Sequence, residues 1–219
     1  MVNRRGTAFL MLIILLNVPL FFIVPWERIL FDKEKVIEDN SEDLVTVDVS
    51  ELEPTGIYVW MEDGKPASVE DKRPNRFDSI FYSCTQFYVY SGDQVSEDAK
   101  LWSMRDIDDD SPWVVLIADD VFTIPDSGKV KLDLNELNRT SIATADKALE
   151  KVNKKFGLSD RSYIDCATPY SKALNEFRSK RVTACFATAC VECLVLPIIL
   201  LIIVTKRRKK QANGGTEQG

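Results

Sequence analysis

Residues 113–118 read Trp-Val-Val-Leu-Ile-Ala, a run of six side chains with no charged or polar member. A strand that is apolar at every position suits the interior of a sheet, where both faces are covered. Asp119 and Asp120 end the run. We therefore predict an interior strand here and read the rest of the chain outward from it.

Other segments have strand or helix periodicity. Alternation of apolar and polar residues, or a dense group of aromatic residues, predicts strands within 45–49, 57–61, 80–90 and 130–134. The dipeptide Asp63-Gly64 predicts a tight turn. Apolar residues at helical spacing predict a helix over 145–156, capped by Thr144 and ended by Gly157. A second helix is predicted from Thr168-Pro169 onward.

Two uncharged stretches flank this middle part. Residues 6–26 carry no charge, and 21 residues of helix span about 31 Å, close to the hydrocarbon thickness of a bilayer. The alternative is a cleaved signal peptide, but no small-residue cleavage site follows the apolar run. The second uncharged stretch, 193–205, has 13 residues and is too short to span a bilayer, so the predicted span must extend over 186–205 and includes Glu192.

Basic residues lie beside both stretches, at positions 4–5 and 206–210. By the positive-inside rule both termini are predicted to be cytoplasmic and the middle extracytoplasmic, in a multi-pass protein of the cell membrane. The predicted fold class is an α+β domain of about six strands and one to two helices between two transmembrane helices. The predicted segments are a cytoplasmic N-terminus (1–5), transmembrane helix (6–26), acidic stalk with a first strand (27–52), α+β domain (53–167), juxtamembrane helix (168–185), transmembrane helix (186–205) and basic tail (206–219).

Charge and composition exclude several kinds of function. Residues 27–181 contain 32 acids and 21 bases, a net charge of −11, which does not suit binding to nucleic-acid phosphates. The chain contains no histidine, so catalytic pairs that use histidine and histidine-liganded zinc sites are excluded. We predict no cofactor and no catalytic residue. The predicted partners are the lipid bilayer and another membrane or extracytoplasmic protein.

Cys84 and Cys166 are the two cysteines of the predicted middle domain, so they are the candidates for a disulfide in an oxidising compartment. The alternative is two separately buried thiols. Cys190 and Cys193 form a C-x-x-C within a predicted membrane helix, where packing is the better interpretation. Asn138-Arg139-Thr140 is a glycosylation sequon, which matters only if the chain passes through an endoplasmic reticulum.

Acidic residues near the interior strand are the weak candidates for a metal site. The series Asp106, Asp108 and Asp110 begins like an EF-hand loop, but Ser111 replaces the glycine and Ile117 the final glutamate. An irregular calcium site remains open as an alternative, with Asp108, Asp110, Asp119 and Asp120 as ligands. A solvated acidic loop is the simpler interpretation.

Asn17 and Glu192 are the polar residues at matching depths of the two predicted membrane helices. We expect them to face each other or the same neighbouring subunit, because a charged group is costly in hydrocarbon. The alternative is that Glu192 rises to the outer interface.

The sequence leaves three functions open. The first is a two-pass membrane protein whose acidic domain mediates protein–protein interaction or assembly of a membrane complex. The second is a sensor of a ligand or ion that signals through a partner, with the helix from Thr168 as the connection. The third is an enzyme acting on an envelope substrate, for which no pair of acids stands out.

Overall fold

The structure is a computed structural model that describes residues 8, 11–16, 33–40, 44–75, 78–103, 110–138, 141–159 and 161–214. The chain divides into two compact units, Leu30–Arg178 and a second made of Met1–Ile29 with Ser179–Gly219. The seven strands assigned among the described residues all belong to the first unit. The described part of this unit therefore has the mixed α and β content that the sequence predicts.

A five-stranded sheet forms the centre of the unit Leu30–Arg178, with its strands in the order β3-β2-β4-β5-β7. All neighbours are antiparallel except β5 and β7, which are parallel. The strands are β2 (Leu52–Glu62), β3 (Lys65–Glu70), β4 (Ser83–Tyr90), β5 (Trp113–Ala118) and β7 (Ile164–Cys166). A separate antiparallel pair joins β1 (Val45–Asp48) to β6 (Lys129–Leu132).

Four α-helices are assigned among the described residues from position 33 onward. They are α1 (Lys33–Asn40), α2 (Glu97–Trp102), α3 (Ala143–Phe156) and α4 (Thr168–Gly214). Residues 8 and 11–16 are also helical.

The interior position of β5 is confirmed, because β4 and β7 pair with its two edges and residues 114–118 are all buried. All eight residues of β4 are buried as well, including Phe87 and Tyr90. Burial on both faces explains why these two strands carry apolar and aromatic residues without alternation. The turn between β2 and β3 is also confirmed, since Asp63 and Gly64 both have positive φ, as in a type I′ hairpin.

The helices differ from the sequence prediction mainly at their ends. The N-cap position of α3 is Ile142, and Thr144 lies inside the helix, so the predicted Thr144 cap is wrong. Gly157 ends α3 in the left-handed conformation, as predicted. At the start of α4, the carboxylate of Asp165 accepts hydrogen bonds from the backbone N–H groups of Ala167 and Thr168 and supplies the cap.

Among the described residues, no helix combines the length with the apolar content needed to cross a membrane. This finding overturns the predicted fold class with two flanking transmembrane helices and the predicted multi-pass location in the cell membrane. In the second stretch, the longest purely apolar run is 194–204, about 16 Å of helix and about half a hydrocarbon thickness. Of the first stretch, only residues 8 and 11–16 are described, and the remainder of 6–26 lies outside the described residues.

Candidate functional site

Three neighbouring strands bring polar side chains together at one end of the five-stranded sheet. Trp60 on β2 pairs with Cys84 on β4. Thr85 pairs with Ala118 on β5, so the next residue, Asp119, lies in the same row as Cys84 and Trp60. Because side chains alternate between the faces of a sheet, these three residues share one face with Tyr88, which lies four positions after Cys84. We call this the paired end, because its carboxylates are bound by arginines.

The carboxylate of Asp119 is almost fully enclosed by hydrogen-bond donors. Arg73 Nη2 lies 2.7 Å from Oδ2 of Asp119, and Tyr88 Oη donates to Oδ1 at 3.2 Å. With its amide oriented to satisfy both neighbours, Gln86 donates to Oδ2 at 3.2 Å and accepts from Gly56 N at 3.0 Å. The Asp119 side chain is 2% exposed, whereas that of Arg73 is 62% exposed. A buried carboxylate is therefore linked to the surface by one arginine.

Burial is the largest influence on the pKa of Asp119. It raises the pKa of Asp119 to about 6, although the charge of Arg73 and the hydrogen bond from Tyr88 both favour the ionised form. Burial also raises the pKa of the Cys84 thiol and of the Tyr88 hydroxyl, and the charge of Asp119 adds to both shifts. The thiol of Cys84 is therefore protonated at neutral pH and is not a nucleophile.

The second acid, Asp120, is bound by an arginine from α4. Arg178 is 5% exposed, and its Nη2 lies 3.1 Å from Oδ2 of Asp120. Its Nη1 donates to the carbonyl of Tyr82 at 2.7 Å, and the backbone N–H of Cys84 donates to the same Asp120 oxygen at 2.8 Å. One guanidinium therefore joins α4 to the start of β4 and to the end of β5.

An aromatic group lies beside these ion pairs. The rings of Trp60 and Tyr82 are 5.5 Å apart, and the indole N–H of Trp60 donates to the carbonyl of Lys72 at 3.1 Å. Phe81, next to Tyr82 in the chain, is 67% exposed. We call Trp60, Phe81 and Tyr82 the aromatic corner.

The candidate metal ligands do not form one group. Asp119 and Asp120 are adjacent, but each is bound to an arginine. Asp110 precedes β5 and Asp119 follows it, so a strand of six residues, about 20 Å, lies between them. Asp108 lies outside the described residues. Among the described residues, no group of three or more Asp, Glu, Cys or His side chains is arranged to hold a metal ion.

The structure does not form the predicted disulfide, because Cys84 and Cys166 are free, buried thiols. Cys84 lies on β4 and Cys166 on β7, and β5 runs between these strands. Two strand spacings amount to about 9.5 Å, whereas the Cα atoms of a disulfide lie within about 7 Å. The alternative of two separately buried thiols is the one that the structure shows.

The other predicted polar residues have separate outcomes. Glu192 is on α4 and partly exposed, and Asn17 lies outside the described residues, so their pairing stays a prediction. Asn138 donates its side-chain amide to the hydroxyl of Tyr163, so the sequon asparagine is bound within the fold.

Sequence reasoning missed the two arginines that complete the site. Arg178 carried a detectable signal, because it falls on the buried stripe of α4 with Tyr170 and Leu174. A charge on a buried helix face requires a buried partner, so this position should have been marked. Arg73 lies in an irregular segment after β3, where no periodicity indicates a partner.

Comparison with protein-family models, curated proteins and solved structures gave no match to this chain.

Proposed function

We propose that this chain is a protein-interaction module that binds a partner protein through the aromatic corner. The observation that carries the proposal is the 67% exposure of Phe81, which directly precedes Tyr82 in the chain, and the ring of Tyr82 packs on that of Trp60. Large aromatic residues and arginine dominate the binding energy of protein interfaces, and an exposed aromatic group is costly to leave in water.

The ion pairs support this proposal, because they hold the corner in one conformation before a partner arrives. Tyr82 is fixed through its carbonyl by Arg178, and Trp60 is fixed through its indole by the carbonyl of Lys72. A surface that is ordered before binding loses less conformational entropy on association. The side chain of Asp119 is closed to solvent, which favours a positioning role for this acid over proton transfer to a substrate.

The charge of the unit favours a basic partner. Residues 30–178 contain 31 acids and 18 bases, a net charge of −13. A field of this sign attracts positively charged proteins and repels nucleic acid. The aromatic corner would supply the apolar contact of such an interface, and the net negative charge of the unit would attract the partner.

The test is a photo-crosslinking amino acid placed at Phe81 in the full chain, with Leu101 as the matched control. Leu101 is 74% exposed and lies on α2. We expect a discrete crosslinked partner from position 81 at pH 7.5 and none from position 101. Phe81→Ser should abolish co-purification of the partner without changing the melting temperature. Equal crosslinking from both positions, or none from position 81, would overturn the proposal.

A further inference from the structure

Residues 71–75 contact the sheet through Lys72 and Arg73. The carbonyl of Lys72 accepts from the Trp60 indole at 3.1 Å, and Arg73 reaches Asp119 at 2.7 Å. Tyr58 lies near Arg73 and favours its charged form, raising the pKa of Arg73. Of these contacts, only the Arg73–Asp119 pair is ionic, and it joins this segment to the end of β5.

We propose that the Arg73–Asp119 pair is an acid-released latch, which fixes residues 71–75 and the Trp60 ring at neutral pH and frees them when Asp119 takes up a proton. The latch does not depend on the proposed function, but its effect on partner binding does, because Trp60 belongs to the aromatic corner.

The two members of the pair differ in their exposure to water. This difference allows Arg73 to leave Asp119 and to return to it. Asp119 is 2% exposed, so its negative charge is stabilised in the fold by its donors and by the charge of Arg73. Arg73 is 62% exposed, so water can replace Asp119 as its partner at small cost. A proton on Asp119 removes the charge that attracts the guanidinium, so the ionic contact between this segment and the end of β5 is lost.

The charged and titratable groups around the pair come from several elements. Arg73 from the segment after β3, Cys84 and Tyr88 from β4, and Asp120 from the end of β5 act on Asp119 itself. Tyr58 from β2 acts on Arg73, and Arg178 from α4 binds Asp120. Burial raises the pKa of Asp119 to about 6, and the neighbouring charge of Asp120 acts in the same direction. The Cys84 thiol and the Tyr88 hydroxyl have pKa values raised by burial, so they stay neutral across this range.

The measurement is the NMR signal of the Trp60 indole N–H group. This group donates to the carbonyl of Lys72, the residue before Arg73, so its signal reports on the segment. The full chain is labelled with ¹⁵N-tryptophan, and the Trp60 signal is assigned among the four tryptophans by Trp60→Phe. We expect this signal to move between two limits with a midpoint near pH 6. In Asp119→Asn it should stay at the acid limit from pH 5 to 8. Asp110→Asn, an exposed acid before β5, is the matched control and should titrate as the wild type does.

Two results would overturn the latch. One is a Trp60 signal that does not move between pH 4.5 and 8 in the wild type, and the other is an Asp119→Asn signal at the neutral limit. The remaining tryptophan signals report whether a variant is folded. If Asp119→Asn does not fold, Arg73→Gln replaces it, and its Trp60 signal at pH 7.5 should lie at the acid limit.

The crosslinking experiment tests partner binding through the aromatic corner separately from the latch. Loss of crosslinking from position 81 already at pH 7.5 contradicts the proposed function but leaves the Trp60 titration intact. If the latch regulates binding, the crosslink should form at pH 7.5 and weaken several-fold at pH 5.5 in the wild type. A yield that is equal at the two pH values overturns this regulation.

Discussion

The two ends of the five-stranded sheet carry acidic residues in different states. At the paired end, Asp119 and Asp120 follow β5 and are each bound to an arginine. At the other end, Leu52, Tyr90 and Trp113 lie in one row. The acids around this row are Glu51, Glu53, Asp93 and Asp110, and among the described residues none of these four forms a salt bridge. We call this the open end.

The difference follows from burial. The carboxylates of the open end are in contact with water, which solvates their charge without a protein partner. Asp119 is 2% exposed, so its charge must be balanced inside the fold by a cation or by hydrogen-bond donors. Substitutions at the two ends should therefore differ in size and in pH dependence.

The largest effect is expected for Arg178→Ala at the paired end. This change leaves Asp120 partly buried without its cation and leaves the Tyr82 carbonyl without a donor. Breaking such a pair costs about 3 kcal/mol in the free energy of unfolding, measured by urea denaturation. The control Lys100→Ala breaks the exposed pair with Glu97 and should cost less than about 0.5 kcal/mol. If the two variants lost equal amounts of unfolding free energy, the expected difference between a buried and an exposed ion pair would be wrong.

The next largest effect is expected for Asp119→Asn, and it has the opposite sign at neutral pH. Burial raises the pKa of Asp119 to about 6 from an ordinary 3.8, so between pH 4 and 6 the folded chain binds more protons than the unfolded chain. The stability that Asp119 contributes therefore falls as the pH rises through this window. The amide that replaces the carboxylate carries no charge, so the variant should be more stable than the wild type by up to about 3 kcal/mol at pH 7.5.

The pH dependence of that difference is the check. The advantage of Asp119→Asn should shrink to about zero at pH 4, where the wild-type carboxyl is protonated as well. Urea denaturation at pH 4, 5, 6 and 7.5 measures this directly. A variant that is less stable than the wild type at pH 7.5 would show that the bond to Arg73 outweighs the cost of burying the charge.

A smaller effect is expected for Tyr88→Phe. The change removes the hydroxyl that donates to Asp119 at 3.2 Å and leaves the ring in place. The cost in the free energy of unfolding should be about 1 kcal/mol. Because a bond to the ionised form is lost, the pKa of Asp119 should rise further, and the midpoint of the Trp60 titration should move to higher pH. A midpoint that moves to lower pH would contradict the assigned hydrogen bond.

The smallest effect is expected for Asp110→Asn at the open end. Asp110 is exposed and forms no salt bridge among the described residues, so the free energy of unfolding should change by no more than about 0.5 kcal/mol. A loss as large as that of Arg178→Ala would mean that Asp110 has a buried partner, and the two ends would then not differ.

Parts of the fold that depend on neighbours in the chain were predictable. The apolar run of β5, the helical spacing of α3 and the turn at Asp63 and Gly64 all appear where the patterns place them. The strands β3 and β7 were missed. β3 contains Pro66 and little alternation, and β7 has only three residues, so both depend on pairing with strands already in the sheet.

The candidate site was predictable only in part. Asp119 and Asp120 were named only as weak candidates for a metal site, whereas the structure binds each of them to an arginine. The partners of these acids are Arg73, 46 residues earlier, and Arg178, 58 residues later. The residue type does not show whether an acid is exposed or buried, so the sequence did not distinguish Asp119 from the exposed acids.

The sequence by itself determined the local elements and the excess of acids in the middle of the chain, because hydrophobic periodicity, turn residues and charge counts act over short distances. Only the tertiary structure decided which acids are buried, which arginines they bind and where the aromatic residues reach the surface. The physical reason is that the cost of a charge depends on its exposure to water, and exposure is set by strands and helices that are far apart in the chain.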